Sequence, residues 1–230
     1  MASTIGQHES EDKLILSLRK ERGWAFPYLY LFQEFWCPPS FIQEINLFQK
    51  YFEAKESDVI VASFPKSGTT WLKALTFAVV NHQRFSIENH PLLTSNPHDL
   101  VDPLPALTLE EAFEMYCNGI IEFGPWWSHM LGYWKESIGR PNKVLFLKYE
   151  DLKENVNFHV KKVAEFLGCP FSEEEENNGI IESIIKLCSF EKMKDLEVNK
   201  SGKINFKIKT FNNKLFFRKA EIGDWRYHKL

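Results

Sequence analysis

No run of about 18 apolar residues occurs anywhere in the chain, so no segment is expected to cross a bilayer as a helix. Cysteine is scarce: the four are Cys37, Cys117, Cys169 and Cys188, widely spaced and without a Cys-x-x-Cys pair. That pattern argues against a zinc ribbon or a disulfide framework and reads as free thiols in a reducing compartment. Positive charge is not in surplus either. With 28 Lys and Arg against 31 Asp and Glu, the formal net charge is −3, which argues against a general nucleic-acid or anionic-membrane surface. The opening residues lack the apolar core of a signal peptide and the Arg-rich, acid-poor look of a transit peptide, so the cytosol is the expected compartment. Internal repeats are absent. What remains is an ordinary globular composition, 44% hydrophobic and 26% charged over 230 residues. It predicts a disordered tail over 1–12 and one domain over 13–230.

The stretch from Asp58 to Trp71 carries the strongest chemistry. Asp58 to Ser63 is β-branched and apolar, bounded by Pro65, and predicts a short buried strand. From Thr69 the apolar spacing becomes helical and continues to about His82. Gly68 between them can take φ > 0 and lets backbone approach a ligand. A helix starting there points its unpaired N–H groups and positive dipole end into the loop mouth. Lys66 adds a charge, and Ser67, Thr69 and Thr70 add hydroxyls. The combination predicts a P-loop-like phosphate cradle. Its Lys precedes its only Gly, unlike the nucleotide P-loop, and an ordinary strand-to-helix turn with a surface lysine is the bland alternative.

Pro65-Lys66-Ser67-Gly68-Thr69-Thr70-Trp71 resembles the 5′-phosphosulfate-binding loop of cytosolic sulfotransferases, which use 3′-phosphoadenosine 5′-phosphosulfate (PAPS). Phe35-Trp36-Cys37-Pro38-Pro39 and the loop from Asn89 to Val101 are similar to the plant branch of that family. The resemblance implies a three-layer α/β/α fold with a parallel sheet. It also implies sulfonyl transfer from PAPS to a hydroxyl of a small hydrophobic or phenolic acceptor, without a metal. Lys66 would stabilise the bridging oxygen, and Phe32 to Trp36 would border the acceptor pocket.

The ending Phe216-Phe217-Arg218-Lys219-Ala220-Glu221-Ile222-Gly223-Asp224-Trp225 resembles the segment that binds the 3′-phosphate, with Ala220 standing where the family usually has Gly. An Arg fork and a Lys point charge suit that group. By position Tyr149 matches a residue at the adenine end, and Phe190 and Trp71 match aromatics around the purine. Core packing is the alternative for each of the three.

The resemblance is interrupted. Only Asp102 to Ala112 separate Val101 from Phe113, where intact members carry two further strands. Those strands end in Thr-His-x-Pro, whose His is the general base, and in Ser-Arg-Asn, which holds the 3′-phosphate. Neither motif occurs in this chain. The C-terminus also stops soon after Trp225. Two central strands of the sheet are therefore expected to be missing, leaving Asp58–Ser63 and Val144–Lys148 to pair anew or to leave edges open. His90 and His98 read as surface loop histidines, and His82 and His129 as helix-surface or core-edge residues. Two rival readings follow: a non-catalytic nucleotide-binding remnant, and a P-loop kinase, disfavoured by the Lys-before-Gly order.

Among the helices, the sequence predicts Phe41–Phe52 capped by Ser40, Leu109 to about Gly119, an apolar aromatic block over 123–134 in the core, a broken helix from Asp151 to Leu167, and a helix opened by Glu173 to Glu176 and carried on by Ile180 to Leu187.

Overall fold

The computed structural model describes residues 14–23, 26–53, 55–63, 67–100, 124–205 and 210–223. They fall into two compact units, one drawn from residues up to Asp58 together with 106–136, the other from 59–105 together with 137–230. The tail over 1–12 and the helix expected from Leu109 lie outside the described residues.

In the first unit, β1 (Lys20–Arg22), β2 (Tyr28–Phe32) and β3 (Phe35–Cys37) form an antiparallel meander. Tyr30 pairs with Cys37 and Phe32 with Phe35, so Gln33 and Glu34 make a two-residue turn. Both take positive φ, 50° and 67°, as the primed hairpin turns require. Helix α1 (Pro39–Tyr51) follows, and starts earlier than Ser40 would have it as cap: Pro38 is the cap and Pro39 the first helical residue, where a missing N–H costs nothing. Phe32, Cys37 and Ile42 form a small buried cluster with Ile15, Leu18 and Ile45 against it. Burial there pushes the Cys37 thiol up to about 11, so it stays protonated and inert.

Helix α3 (Trp126–Gly139) forms where the aromatic block predicts one, but the block is not core. None of the helix's residues is buried, and Trp127, Leu131, Tyr133 and Trp134 are exposed. A helix satisfies its own backbone and needs no cover to form, whereas a core needs an opposing apolar surface.

The second unit is built around α2 (Thr69–Val80). It packs against α5 (Val156–Phe166) and α7 (Ile180–Leu187), which follow α4 (Tyr149–Glu154) and α6 (Glu173–Asn177) in the chain. Ala74, Leu75, Ala78 and Val79 of α2 meet Val160, Val163 and Ala164 of α5 and Ile181, Ile184 and Leu187 of α7, all nearly inaccessible. The small Ala residues let the helices approach closely. Asn155 caps α5 by accepting from the Phe158 N–H, and Ser172 with Glu175 forms a reciprocal capping box at α6. Helices α8 (Phe190–Asp195) and α9 (Glu197–Ser201) and an antiparallel hairpin of β4 (Lys203–Asn205) and β5 (Thr210–Asn212) complete the unit.

The expected parallel sheet is not found among the described residues, where both sheets are antiparallel. Neither Asp58–Ser63 nor Val144–Lys148 is a strand. Leu145 and Leu147 still pack on the helical core in alternation, whereas Val59 and Ile60 are exposed. A strand exists only by pairing, and neither segment has a ladder partner among the described residues.

Candidate functional site

The cradle begins at Gly68, the N-cap of α2. It has φ +90°, a left-handed value that suits glycine, and no side chain caps the helix. The N–H groups of Thr69, Thr70 and Trp71 therefore open the helix without intrahelical acceptors. A methyl group built on Gly68 would stand 2.7 Å from Cδ2 of Tyr149, so the glycine is required by its neighbour as well as by its φ. Tyr149, the first residue of α4, meets Trp71 edge to face at 5.7 Å, and Lys153 one turn on lies over the Trp71 ring at 5.5 Å. Burial, and after it the charge of Glu150, raise the Tyr149 pKa, which keeps the phenol a hydroxyl donor at neutral pH.

The hydroxyls are held from behind. Thr69 Oγ1 lies 2.7 Å from Ser63 Oγ, and Thr70 Oγ1 lies 2.8 Å from His98 Nε2. His98 is not the surface residue expected: it is 6% exposed, and His90 is 2% exposed. The His98 backbone N–H donates to Asn96 Oδ1 (2.9 Å), Asn96 Nδ2 donates to Asn199 Oδ1 (2.7 Å), and Asn199 Nδ2 donates to the Met193 carbonyl (2.7 Å). Both asparagines are fully buried, so this chain of bonds fastens the loop to α8 and α9. The sequence reading singled out neither Asn96 nor Asn199. The available signal was Asn96-Pro97, a pair that favours an asparagine side chain bonding its own backbone two residues on.

His82 and His129 answer their expectation in part. The His82 side chain is buried at the end of α2 with Nε2 3.2 Å from Glu175 Oε1, while His129 packs on Phe35 at 4.4 Å.

A second cluster forms around a cleft of about 380 Å³, lined by Phe190, Glu191, Lys194, Asp195, Arg218, Lys219 and Glu221. Phe190 is half-buried, with Phe217 at 6.3 Å and the Lys194 ammonium over its ring at 5.5 Å. Arg218 and Lys219 are exposed at the rim. Ala220 has φ +57°, so the position that departs from the resembled motif is one where a left-handed backbone favours glycine. The structure thus gathers the sequence candidates into two groups of the second unit: Ser67, Gly68, Thr69, Thr70, Trp71 and Tyr149 in one, Phe190, Arg218, Lys219 and Ala220 in the other. Lys66 lies outside the described residues. Among the described residues no group of three or more His, Cys, Asp or Glu could hold a metal ion, and no helix is long and apolar enough to cross a membrane.

The model of the sulfotransferase domain matches residues 56–108 and 103–229. Cytosolic sulfotransferase 15 of Arabidopsis thaliana is 42% identical over 285 positions, covering 93% of this chain and 79% of that protein. The flavonol 4′-sulfotransferase of Flaveria chlorifolia is 38% identical over 294 positions, covering 98% of this chain and 92% of its own. A solved sulphotransferase of Arabidopsis thaliana superposes with a TM-score of 0.64 at 37% identity, over 80% of this chain and 85% of that one. A mouse sulfotransferase complexed with PAP superposes at 0.60 with 21% identity, over 87% and 88% respectively, a likeness of fold.

An alignment of 285 positions against a chain of 230 leaves at least 55 of the Arabidopsis protein's positions opposite no residue here (285 − 230). With the domain model matched from 56 to 229 and relatives aligned over more than nine-tenths of its length, the chain belongs to the sulfotransferase domain family.

Proposed function

We propose that this protein binds PAPS, and its product adenosine 3′,5′-bisphosphate (PAP), with the 5′-phosphosulfate in the cradle at Gly68 and the 3′-phosphate beside Arg218 and Lys219. The observation that carries the reading is the left-handed Gly68 at the head of α2, packed on Tyr149 and Trp71. Trp71 and Phe190 flank the purine in this reading, and the Tyr149 hydroxyl serves its adenine end. The reaction is transfer of the sulfonyl group to a hydroxyl of a small hydrophobic or phenolic acceptor in the cytosol. The bond from sulfur to the bridging phosphate oxygen breaks, a bond to the acceptor oxygen forms, the acceptor proton leaves and PAP departs. Lys66 stabilises the charge that grows on the bridging oxygen. No metal is required for this chemistry, and the 1–12 tail and the single domain over 13–230 are part of the same reading.

A second reading has its own support. At least 55 aligned positions of the Arabidopsis relative have no counterpart here, and the sequence holds no Thr-His-x-Pro. Without that base the transfer step is slower by about 10²–10⁴-fold. The protein is then a nucleotide binder whose catalysis is vestigial.

Calorimetric titration with PAP tests the shared part. Binding in the micromolar range, weakened about 10–100-fold by Lys66→Ala, is expected for loss of one charge-assisted contact. A cooperatively folded sample that ignores PAP would sink both readings. Transfer from labelled PAPS to a panel of phenols then separates them: turnover near that of an intact relative supports the enzyme, and turnover reduced by the factor above supports the remnant.

A further inference from the structure

We propose that His98 is a positioning residue for the cradle, working through the hydroxyl of Thr70; the inference rests on the nucleotide-binding reading above. Thr70 has one hydroxyl proton, and the hydrogen bond to His98 Nε2 can be made in two ways. If the threonine donates, its proton is consumed by the imidazole and only lone pairs face the helix mouth, where a phosphate would be repelled. If Nε2–H donates, the threonine oxygen is the acceptor and its own proton turns outward. An anion at the mouth selects the second arrangement, because only that one offers it a donor. His98 then supplies the hydrogen bond that aims Thr70, and the order of donation runs from His98 to Thr70 to the anion.

The imidazole is well placed to do this. Its backbone is tied through Asn96 and Asn199 to the Met193 carbonyl. Its ring lies on Phe216 at 4.4 Å, two residues before Arg218. A rigid, buried ring loses little entropy on holding one orientation. The Phe216 contact raises the competing idea that His98 merely props the basic segment, and ligand choice separates the two.

Affinities for PAP, 5′-AMP and 3′-AMP would be measured on wild type, His98→Ala, His98→Gln, Thr70→Val and the Ala/Val double variant, with thermal unfolding recorded for each. Thr70→Val and His98→Ala are each expected to weaken PAP and 5′-AMP about tenfold, the size of one hydrogen bond to a charged group. The double variant should be no weaker than either single one, since both remove the same relay. His98→Gln, whose amide N–H₂ reaches the same place, should bind nearly as wild type. Affinity for 3′-AMP should not move.

Four results would overturn the inference. His98→Ala with unchanged 5′-AMP affinity removes His98 from the relay while leaving the nucleotide reading intact. An equal loss for 3′-AMP makes His98 a prop under the basic segment. A folded His98→Gln as weak as His98→Ala assigns the effect to ring packing. A wild type that binds none of the three ligands fails the nucleotide reading itself, and the relay with it.

Discussion

Helix α2 and the segment that leads into it are adjacent in sequence and opposite in character. The helix presents Ala74, Leu75, Ala78 and Val79 to two other helices, each at most 3% exposed, while Val59 and Ile60 before it are 51% and 70% exposed. Both stretches are apolar, so hydrophobicity does not separate them. A helix closes its hydrogen bonds within itself and then needs only a neighbour's apolar face. A strand needs a partner backbone first, and no ladder bonds reach Val59–Ser63 among the described residues. The cradle sits at the seam between the two, fixed on the helical side by Tyr149 and Trp71 and held on the other through Ser63 to Thr69.

The largest effect that sharpens this contrast comes from truncating each side in turn. Ile184 is 1% exposed in the core of the second unit. Ile184→Ala should cost about 2–5 kcal/mol in denaturant unfolding, from lost burial plus the cavity left behind. Ile60→Ala should change stability by no more than about 0.5 kcal/mol, as exposed substitutions do. Equal losses would mean that the Val59–Ser63 segment is covered in solution, and the contrast drawn here would be broken.

At the seam itself, Gly68→Ala places a methyl 2.7 Å from the Tyr149 ring on a backbone with φ +90°. The left-handed backbone alone costs about 1–2 kcal/mol, before the ring has to move. PAP affinity should fall at least tenfold. Adding Tyr149→Ala relieves the clash but not the backbone strain, so the double variant should recover stability only in part. Full recovery would show that packing, not φ, requires the glycine.

Ala220→Gly runs in the opposite direction. Ala220 has φ +57°, and glycine adopts that conformation without the Cβ penalty. Glycine's greater freedom in the unfolded chain offsets part of the gain. The net stabilisation expected is about 0.5–1 kcal/mol by thermal unfolding, together with tighter PAP binding. A loss of stability would mean that the left-handed backbone there is not maintained in solution.

How much of this was legible beforehand follows the same division between local and non-local requirements. The start of α2 at Thr69, the break before α5 and the opening of α6 at Glu173 came from spacing and from charge at a helix start, which act within a few positions, whereas the continuation of that helix to Leu187 is broken by Gly179 at φ 69°, which starts α7. The cradle at Gly68 and the basic group at Arg218 and Lys219 came from short motifs, and both are local. The parallel sheet is what the family resemblance implies; the two apolar runs depend for pairing on partners elsewhere in the chain, and no ladder joins them among the described residues. The aromatic stretch in α3 departs from its expected core position for a related reason: helical spacing predicts a helix, but says nothing about whether an opposing face exists. His90 and His98 read as surface residues because polarity and a loop sequence suggest exposure. Their burial depends on Asn96, Asn199 and the phenylalanines around them, which come from distant positions.

His90 gives the smallest effect and the finest test of that buried loop. Its Nδ1 accepts from the Leu92 N–H at 3.2 Å, and its ring meets Phe77 and Phe85 edge to face, with centroids at 5.8 and 5.9 Å. Burial lowers its pKa from 6.5, because the charged form is poorly solvated there. The folded protein therefore binds fewer protons at this site than the unfolded chain does. Stability from the neutral ring is fully present above pH 6.5 and is lost as pH falls through the window below it. Protonation at Nδ1 would also break the bond to Leu92, which adds to the same sign. His90→Asn keeps an acceptor for that N–H and removes the titration. Thermal unfolding of wild type should decline as pH drops below 6.5, and the variant's curve should be flatter over that window. Superimposable curves would show that water reaches the ring, and would return His90 to the surface where its sequence first put it.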